Sequence, residues 1–251
     1  MTVVVAFHCT DGVVIAADSM ITPSMGGMPV GHHHGQKLSV LDGPQLFAFA
    51  GDQGQADRFK TMTNGSHGLI AQVQHPLDYA VTLSGSIIQQ LQQTGIGMGQ
   101  IGANAIVSFQ MHGTHHCCVF EGPLQPRFLD QHHFYVALGS GKLSADPFLR
   151  FLADTFCANN AQPTTREGVF MATWVVQHVI DTNPGGVAGP IRVATYTFDA
   201  GVAVARHLPD AEISEHQQAI ESARAALKSW RDELLSGAAA GDAPALPRLS
   251  V

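Results

Sequence analysis

The segment Thr2–Asp18, TVVVAFHCTDGVVIAAD, restricts the possible folds of this chain more than any other stretch. Two apolar runs, Val3–Phe7 and Val13–Ala17, flank Thr10-Asp11-Gly12. Asp-Gly between β-branched runs is a strong hairpin signal, because a tight hairpin turn needs backbone angles that these residues adopt readily. A strand this close to the start of the chain must be tied down by neighbours, since termini otherwise fray. Met1 precedes a small residue, a setting in which an initiator Met is commonly removed. Removal would leave Thr2 with a hydroxyl and a free α-amine. An α-amine, with a pKa of about 7.7 to 8.0, takes up a proton near neutrality. That is the threonine-plus-terminal-amine form of an activated nucleophile. Taken alone, Met-Thr ahead of a strand is an ordinary chain start.

The next residues add weight. Asp18 closes the second run and is followed by Ser19, Met20, Ile21 and Thr22; Lys37-Leu38 comes after a loop, and a further strand ends at Gly51. The motifs T-V-V-V-A, D-G-V-V-I-A-A-D-S-x-x-T, K-L and A-G-x-x-x-x-A-D resemble the β-type subunit family of proteasomes. That family includes the bacterial HslV peptidase and smaller bacterial proteasome homologues. The resemblance implies Thr2 as nucleophile, Asp18 as its buried aspartate, Lys37 as its lysine and Gly51 as its oxyanion-hole glycine. The separations from Thr2 to Asp18 and from Lys37 to Gly51 match the family, and only the loop between is longer.

Composition agrees with a large buried core. The 251 residues include 45% hydrophobic and only 13% charged, which suggests surface hidden in subunit contacts. A formal charge of −7 without a Lys/Arg cluster argues against nucleic acid. No apolar run reaches the roughly 18 residues a membrane span needs, and no leader precedes the first strand. Cys9, Cys117, Cys118 and Cys157 lack C-x-x-C spacing and read as reduced core thiols of a cytoplasmic protein. No cofactor is expected. Residues 20–36, MITPSMGGMPVGHHHGQ, read as a long loop. Its three histidines, His32–His34, and the pairs His115-His116 and His132-His133 suggest exposed or subunit-facing groups rather than a metal centre, because adjacent side chains cannot converge in an extended chain. Titration together near pH 6.5 would make assembly pH-sensitive.

Further elements follow by periodicity and punctuation. A helix is expected over 51–68, and another over Pro76–Gln93 with Leu77, Val81, Ile88 and Leu91 on its apolar face. Gly95–Gly99 reads as a loop, and strands are expected over Ala103–Met111, His115–Glu121 and within Arg127–Leu138. Gly139-Ser140-Gly141 is by itself a strand-to-helix turn. By resemblance its Ser140 hydrogen-bonds near the nucleophile's amine. A helix is expected from Ala145 to Ala158 with Asp146-Pro147 at its start. Another runs from Thr164, opened by the capping box Thr164-x-x-Glu167, to about Ile180, stopping at the breaker cluster that begins with Asp181. The resemblance makes Asp181 the second aspartate supporting the amine. It departs from the family at Pro184, where a serine is expected; Thr182 or Asn183 are the substitutes nearby. A last hairpin, Ile191–Phe198 and Val202–His207, precedes a helix over Ala211–Leu235 whose Ile213, Ile220, Leu227 and Leu234 recur every seven residues. Residues 1–236 read as a single domain and 237–251 as an Ala/Pro-rich tail.

This order suits two stacked sheets between helical layers, the α+β four-layer αββα sandwich of N-terminal nucleophile hydrolases. The resemblance implies a threonine peptidase acting on peptides or unfolded polypeptide, with identical subunits in stacked rings of about 12 to 14. The residues carry no sign for or against an ATPase unfoldase. By resemblance, Ile21, Gly35, Ser39, Phe49 and Gln53 border the substrate pocket and Thr22 pairs with the substrate backbone. Phe49 at the pocket floor would favour a small or medium apolar side chain; the other reading is a core phenylalanine facing no substrate. Two further functions compete: an amidase of small amides using the same chemistry, and an inactive ring-forming subunit that keeps Met1.

Overall fold

The computed structural model describes residues 2–25, 28–157, 161–183, 186–199 and 202–235. They fall into two compact units, Met1–Leu208 and Pro209–Val251. The expectations on Met1, Pro184 and the tail lie outside the described residues.

The hairpin that opens the chain is present. Strands β1 (Val4–Cys9) and β2 (Gly12–Ala17) pair antiparallel with Cys9 opposite Gly12, so the turn is Thr10-Asp11. Asp11 has a second use. Its carboxylate accepts from the Thr165 N–H at 2.7 Å and the Thr165 hydroxyl at 2.9 Å, fixing the start of a distant helix. Residues 20–36 are more ordered than a loop: β3 (Met20–Ile21) pairs with β6 (His33–His34), and β4 (Ser24–Met25) with β5 (Met28–Pro29). Next come β7 (Leu38–Leu41) and β8 (Gln45–Gly51), then the helices α1 (Gln53–Gly65), α2 (His67–Ile70) and α3 (Pro76–Gln93). A short 3-10 turn, Met98–Gln100, occupies the glycine-rich loop. β9 (Ala103–Met111), β10 (Thr114–Glu121), β11 (Gln125–Phe128) and β12 (Tyr135–Leu138) follow, with α4 (Lys142–Phe156) and α5 (Thr165–Thr182) after them. β13 (Arg192–Asp199) and β14 (Val202–His207) complete the first unit.

Two five-stranded antiparallel sheets result, in the orders β12-β1-β2-β13-β14 and β11-β10-β9-β8-β7. They face each other through a core of small and branched residues, among them Val4, Ala6, Ile15, Ala48, Ile106 and Val119. Small side chains there let the sheets approach, while α5 covers β1 and β2 and α1 and α3 cover the second sheet. The four layers are therefore α, β, β, α. Under α1 and α3 the core is aromatic, with Phe47, Phe59, Tyr79, Phe109 and Phe120.

Three expected elements shift. In α3 the buried face is Tyr79, Ala80, Leu83, Ser84, Ile87 and Leu91, whereas Leu77 and Val81 are more than half exposed. The polar members of that face are acceptable inside because they find partners: Tyr79 Oη meets Ser66 Oγ at 3.0 Å, and Ser84 Oγ donates to the Leu124 carbonyl at 2.6 Å. α4 starts a turn earlier than expected, at Lys142, and carries Pro147 within it. α5 has the predicted capping box but continues to Thr182, so Asp181 sits in its last turn rather than beyond it.

The second unit's described part is α6 (Asp210–Leu235). Its seven-residue stripe is buried at Ile213 and Ile220 and exposed at Leu227 and Leu234.

Candidate active site

The end of the sandwich where Thr2 enters β1 brings together Thr2, Asp18, Lys37 and Ser140. Asp18, just past β2, and Lys37, just before β7, are both almost fully buried. The Lys37 ammonium donates to both carboxylate oxygens of Asp18 at 2.8 Å. Asp18 Oδ1 also accepts the Val3 N–H at 2.9 Å, and Oδ2 the Met20 N–H at 3.0 Å. Four charge-assisted bonds therefore converge on one carboxylate, which is how a buried charge avoids the cost of desolvation. One oxygen serves both Lys37 and Val3, so the Asp18 carboxylate links the ammonium to the peptide that follows Thr2. Burial pushes the Lys37 ammonium below the ordinary lysine value of 10.5, while the charge and hydrogen bonds of Asp18 pull it back up.

Thr2 is held from the other side by the 139–141 turn. Its backbone N donates to Ser140 Oγ at 3.1 Å, and its carbonyl accepts the Gly141 N–H at 3.0 Å. Gly139 is required here: its φ is +91°, and a Cβ would lie 2.2 Å from the Thr2 carbonyl oxygen. The end of α5 reaches the same corner, since a Cβ on Gly141 would be 2.9 Å from both Val179 and Val3. Asp181, two residues past Val179, accepts from Gln177 Nε2 at 2.8 Å. Of the residues near Pro184, the Thr182 hydroxyl donates back to the His178 carbonyl at 2.8 Å, and Asn183 Nδ2 donates to Ser144 Oγ at 3.0 Å. Gly51 closes β8 with φ of +105° and is exposed. It lies two residues past Phe49, whose N–H donates to the Lys37 carbonyl at 3.0 Å.

The residues assigned to the substrate pocket are spread more widely. Ile21 Cδ1 packs over Gly35, where a Cβ would be 2.0 Å away. Thr22 Oγ1 is 3.2 Å from His32 Nδ1. Phe49 is 6% exposed and packs with Phe47 in the aromatic core. Ser39 is buried at the edge of a shallow cavity of about 340 Å³ shared with Lys60, Thr61 and Asn64. Gln53 begins α1 and is exposed.

Sequence reasoning passed over Ser19. Its N–H donates to the Ala188 carbonyl at 3.1 Å, its hydroxyl to the Pro190 carbonyl at 2.6 Å, and its carbonyl accepts the Gly35 N–H at 2.8 Å. Its only sequence signal is its place after Asp18. His32, His33 and His34 are exposed, and no group of three His, Cys, Asp or Glu among the described residues could hold a metal. All four cysteines are buried free thiols. None of the described helices is long and apolar enough to cross a membrane.

No family model matches the sequence, and no curated protein matches it. Among solved structures the chain is similar to Anbu from Hyphomicrobium sp. strain MC1, with a TM-score of 0.68 and 15% identity over 91% of this chain and 97% of that one. A Gly-1 mutant of that Anbu gives 0.65 and 16% over the same shares. The helical assembly of the Anbu complex from Pseudomonas aeruginosa gives 0.66 and 17%, over 91% and 96%. These neighbours correct the expectation of an HslV-like chain: the similarity found is to Anbu. Identity this low speaks for shared architecture alone, and that architecture is the αββα sandwich of the N-terminal nucleophile type.

Proposed function

We propose that this chain is a subunit of a proteasome-like assembly of identical copies and that it cleaves peptide bonds with Thr2 as nucleophile once Met1 is removed. The observation that carries the reading is the buried Asp18–Lys37 pair bonded to the peptide next to Thr2. In this mechanism Thr2 Oγ attacks the substrate carbonyl carbon. The hydroxyl proton passes to the α-amine, oriented by Ser140, or to the Lys37 amine, whose proton affinity burial has reduced. The Gly51 N–H, at the exposed end of β8, stabilises the oxyanion. The amine product leaves with the proton, and water then hydrolyses the Thr2 ester. Asp18 keeps the Lys37 ammonium in place, and Asp181 supports the terminal amine from the end of α5. Ile21, Thr22, Gly35, Ser39, Phe49 and Gln53 border the substrate channel. The helical assembly of the Pseudomonas aeruginosa Anbu complex supports self-association of this fold.

A mechanism-based covalent inhibitor with intact-mass readout tests the reading. The expected result is loss of Met1, one adduct on Thr2, and no adduct in Thr2→Ala or Lys37→Ala. Absence of labelling in fully processed protein would overturn it. Mass photometry separates closed rings from open spirals and from a lone subunit.

A further inference from the structure

The ion pair beside Thr2 is sealed from solvent, yet a cleft lies close behind it. That cleft, of about 470 Å³, is lined by Ser19, Gly35, Gln36, Leu38 and Pro190, with His34, Arg192 and His207 at its exposed rim. It is large enough for several waters, each needing about 30 Å³. Ser19 is the chain neighbour of Asp18, and Gln36 and Leu38 are the neighbours of Lys37. Asp18 and Lys37 are nonetheless 1% and 3% exposed. Whatever separates the cleft from the pair must therefore be thin and well fastened.

Ser19 supplies the fastening. Its three backbone and hydroxyl bonds tie together the end of β2, the base of the β3–β6 hairpin at Gly35, and the 188–190 segment that leads into β13. The 188–190 segment lies 171 residues from Ser19 at its Pro190 end, so the hydroxyl bond closes a long-range contact. Resting on the reading of Thr2 as nucleophile, we propose that Ser19 is a positioning residue: its hydroxyl bond to Pro190 holds shut the wall that keeps cleft water off the Asp18–Lys37 pair.

The physical consequence is specific. A desolvated ammonium gives up its proton more readily than a hydrated one. If water reaches Lys37, its proton affinity rises toward the ordinary lysine value of 10.5. Asp18 is the charged partner of Lys37, while His34, Arg192 and His207 face the cleft; Ser19→Ala alters none of them. Any change in Lys37 titration on that substitution therefore reports hydration.

The experiment is trace acylation of lysines across a pH series, with peptide mapping to read the Lys37 midpoint, on wild type, Ser19→Ala and Ser19→Thr. The expected result is a midpoint that moves up in Ser19→Ala and stays in place in Ser19→Thr, which keeps the hydroxyl. In parallel, the maximal rate of Thr2 labelling at pH 7 falls about three- to tenfold in Ser19→Ala, with inhibitor affinity unchanged. A Lys37 midpoint identical in Ser19→Ala and wild type overturns the proposal, whether or not Thr2 reacts. A shifted midpoint with no Thr2 labelling even in processed wild type leaves the wall standing and removes the peptidase reading. Should Ser19→Ala not fold, amide exchange on the wild type decides. Slow exchange at Ser19 and Gly35 supports the fastening, and exchange as fast as an exposed loop overturns it.

Discussion

The two ends of β1 bury titratable groups in opposite ways. At the Thr2 end, a carboxylate and an ammonium are enclosed together, and the carboxylate accepts from that ammonium and from two backbone N–H groups. At the other end, His8 meets His115 and His116 of the opposite sheet beside a cavity of about 870 Å³. The His8 and His115 rings lie 4.8 Å apart. His8 Nε2 donates to the His115 carbonyl at 3.4 Å, and His115 Nε2 to the Cys9 carbonyl at 2.9 Å. A carbonyl only accepts, so both rings carry their proton on Nε2. His8 Nδ1 then accepts from Gln162 Nε2 at 2.6 Å, a bond that requires the neutral ring. Burial pushes His8 down, and pushes His116 down to about 4 with the neighbouring His8, His115 and His112 adding to it. The lesson is that burial alone does not remove charge. Burial with a counter-charge preserves a pair, and burial among like groups makes them neutral.

The largest expected effect breaks the first end. Lys37→Met strands the Asp18 carboxylate inside the protein, and urea denaturation at pH 7 is expected to show a loss of about 3 to 5 kcal/mol. The double variant Asp18→Asn with Lys37→Met is expected to recover part of it. Unchanged stability in the single variant would mean that the pair is not enclosed.

Next in size is Gly139→Ala, which forces a side chain into positive φ and against the Thr2 carbonyl. About 1 to 3 kcal/mol of stability is expected to go, along with the inhibitor's reaction at Thr2; calorimetry and mass readout check the two separately.

The histidine end should show itself through pH. The folded state lowers His116 from 6.5 to about 4, so the unfolded chain binds that proton first. Its stability contribution is present in full above about pH 6.5 and is lost as pH falls toward 4. His116→Phe is expected to flatten denaturation midpoints between pH 7 and 5, and a slope identical to wild type would count against it.

The smallest effect is at Gln162→Leu. Losing the donor to Nδ1 should move the His8 titration upward, toward 6.5, in a ring-proton NMR series.

How far the sequence spoke differs by residue. Val3–Phe7 and Val13–Ala17 were legible as strands because alternation and β-branching are local properties. The Thr164-x-x-Glu167 cap was legible for the same reason, and it forms with both reciprocal bonds. The buried face of α3 was not: periodicity gives a helix, but the rotation that buries Tyr79 and Ser84 depends on Ser66, Gln45 and Leu124, partners from other segments. The pairing of β3 with β6 was hidden because two-residue strands carry no period. Asp18 and Lys37 were paired through a resemblance, and the structure puts their charged atoms 2.8 Å apart.

The sequence by itself determined the opening hairpin and the cap of α5, both written within about a dozen neighbouring residues. Only the tertiary structure decided which polar groups are enclosed, that Asp11 serves α5, and that Ser19 joins three segments. Those outcomes depend on hydrogen-bond partners brought together by sheet packing, and a partner more than a hundred residues away leaves no mark on local pattern.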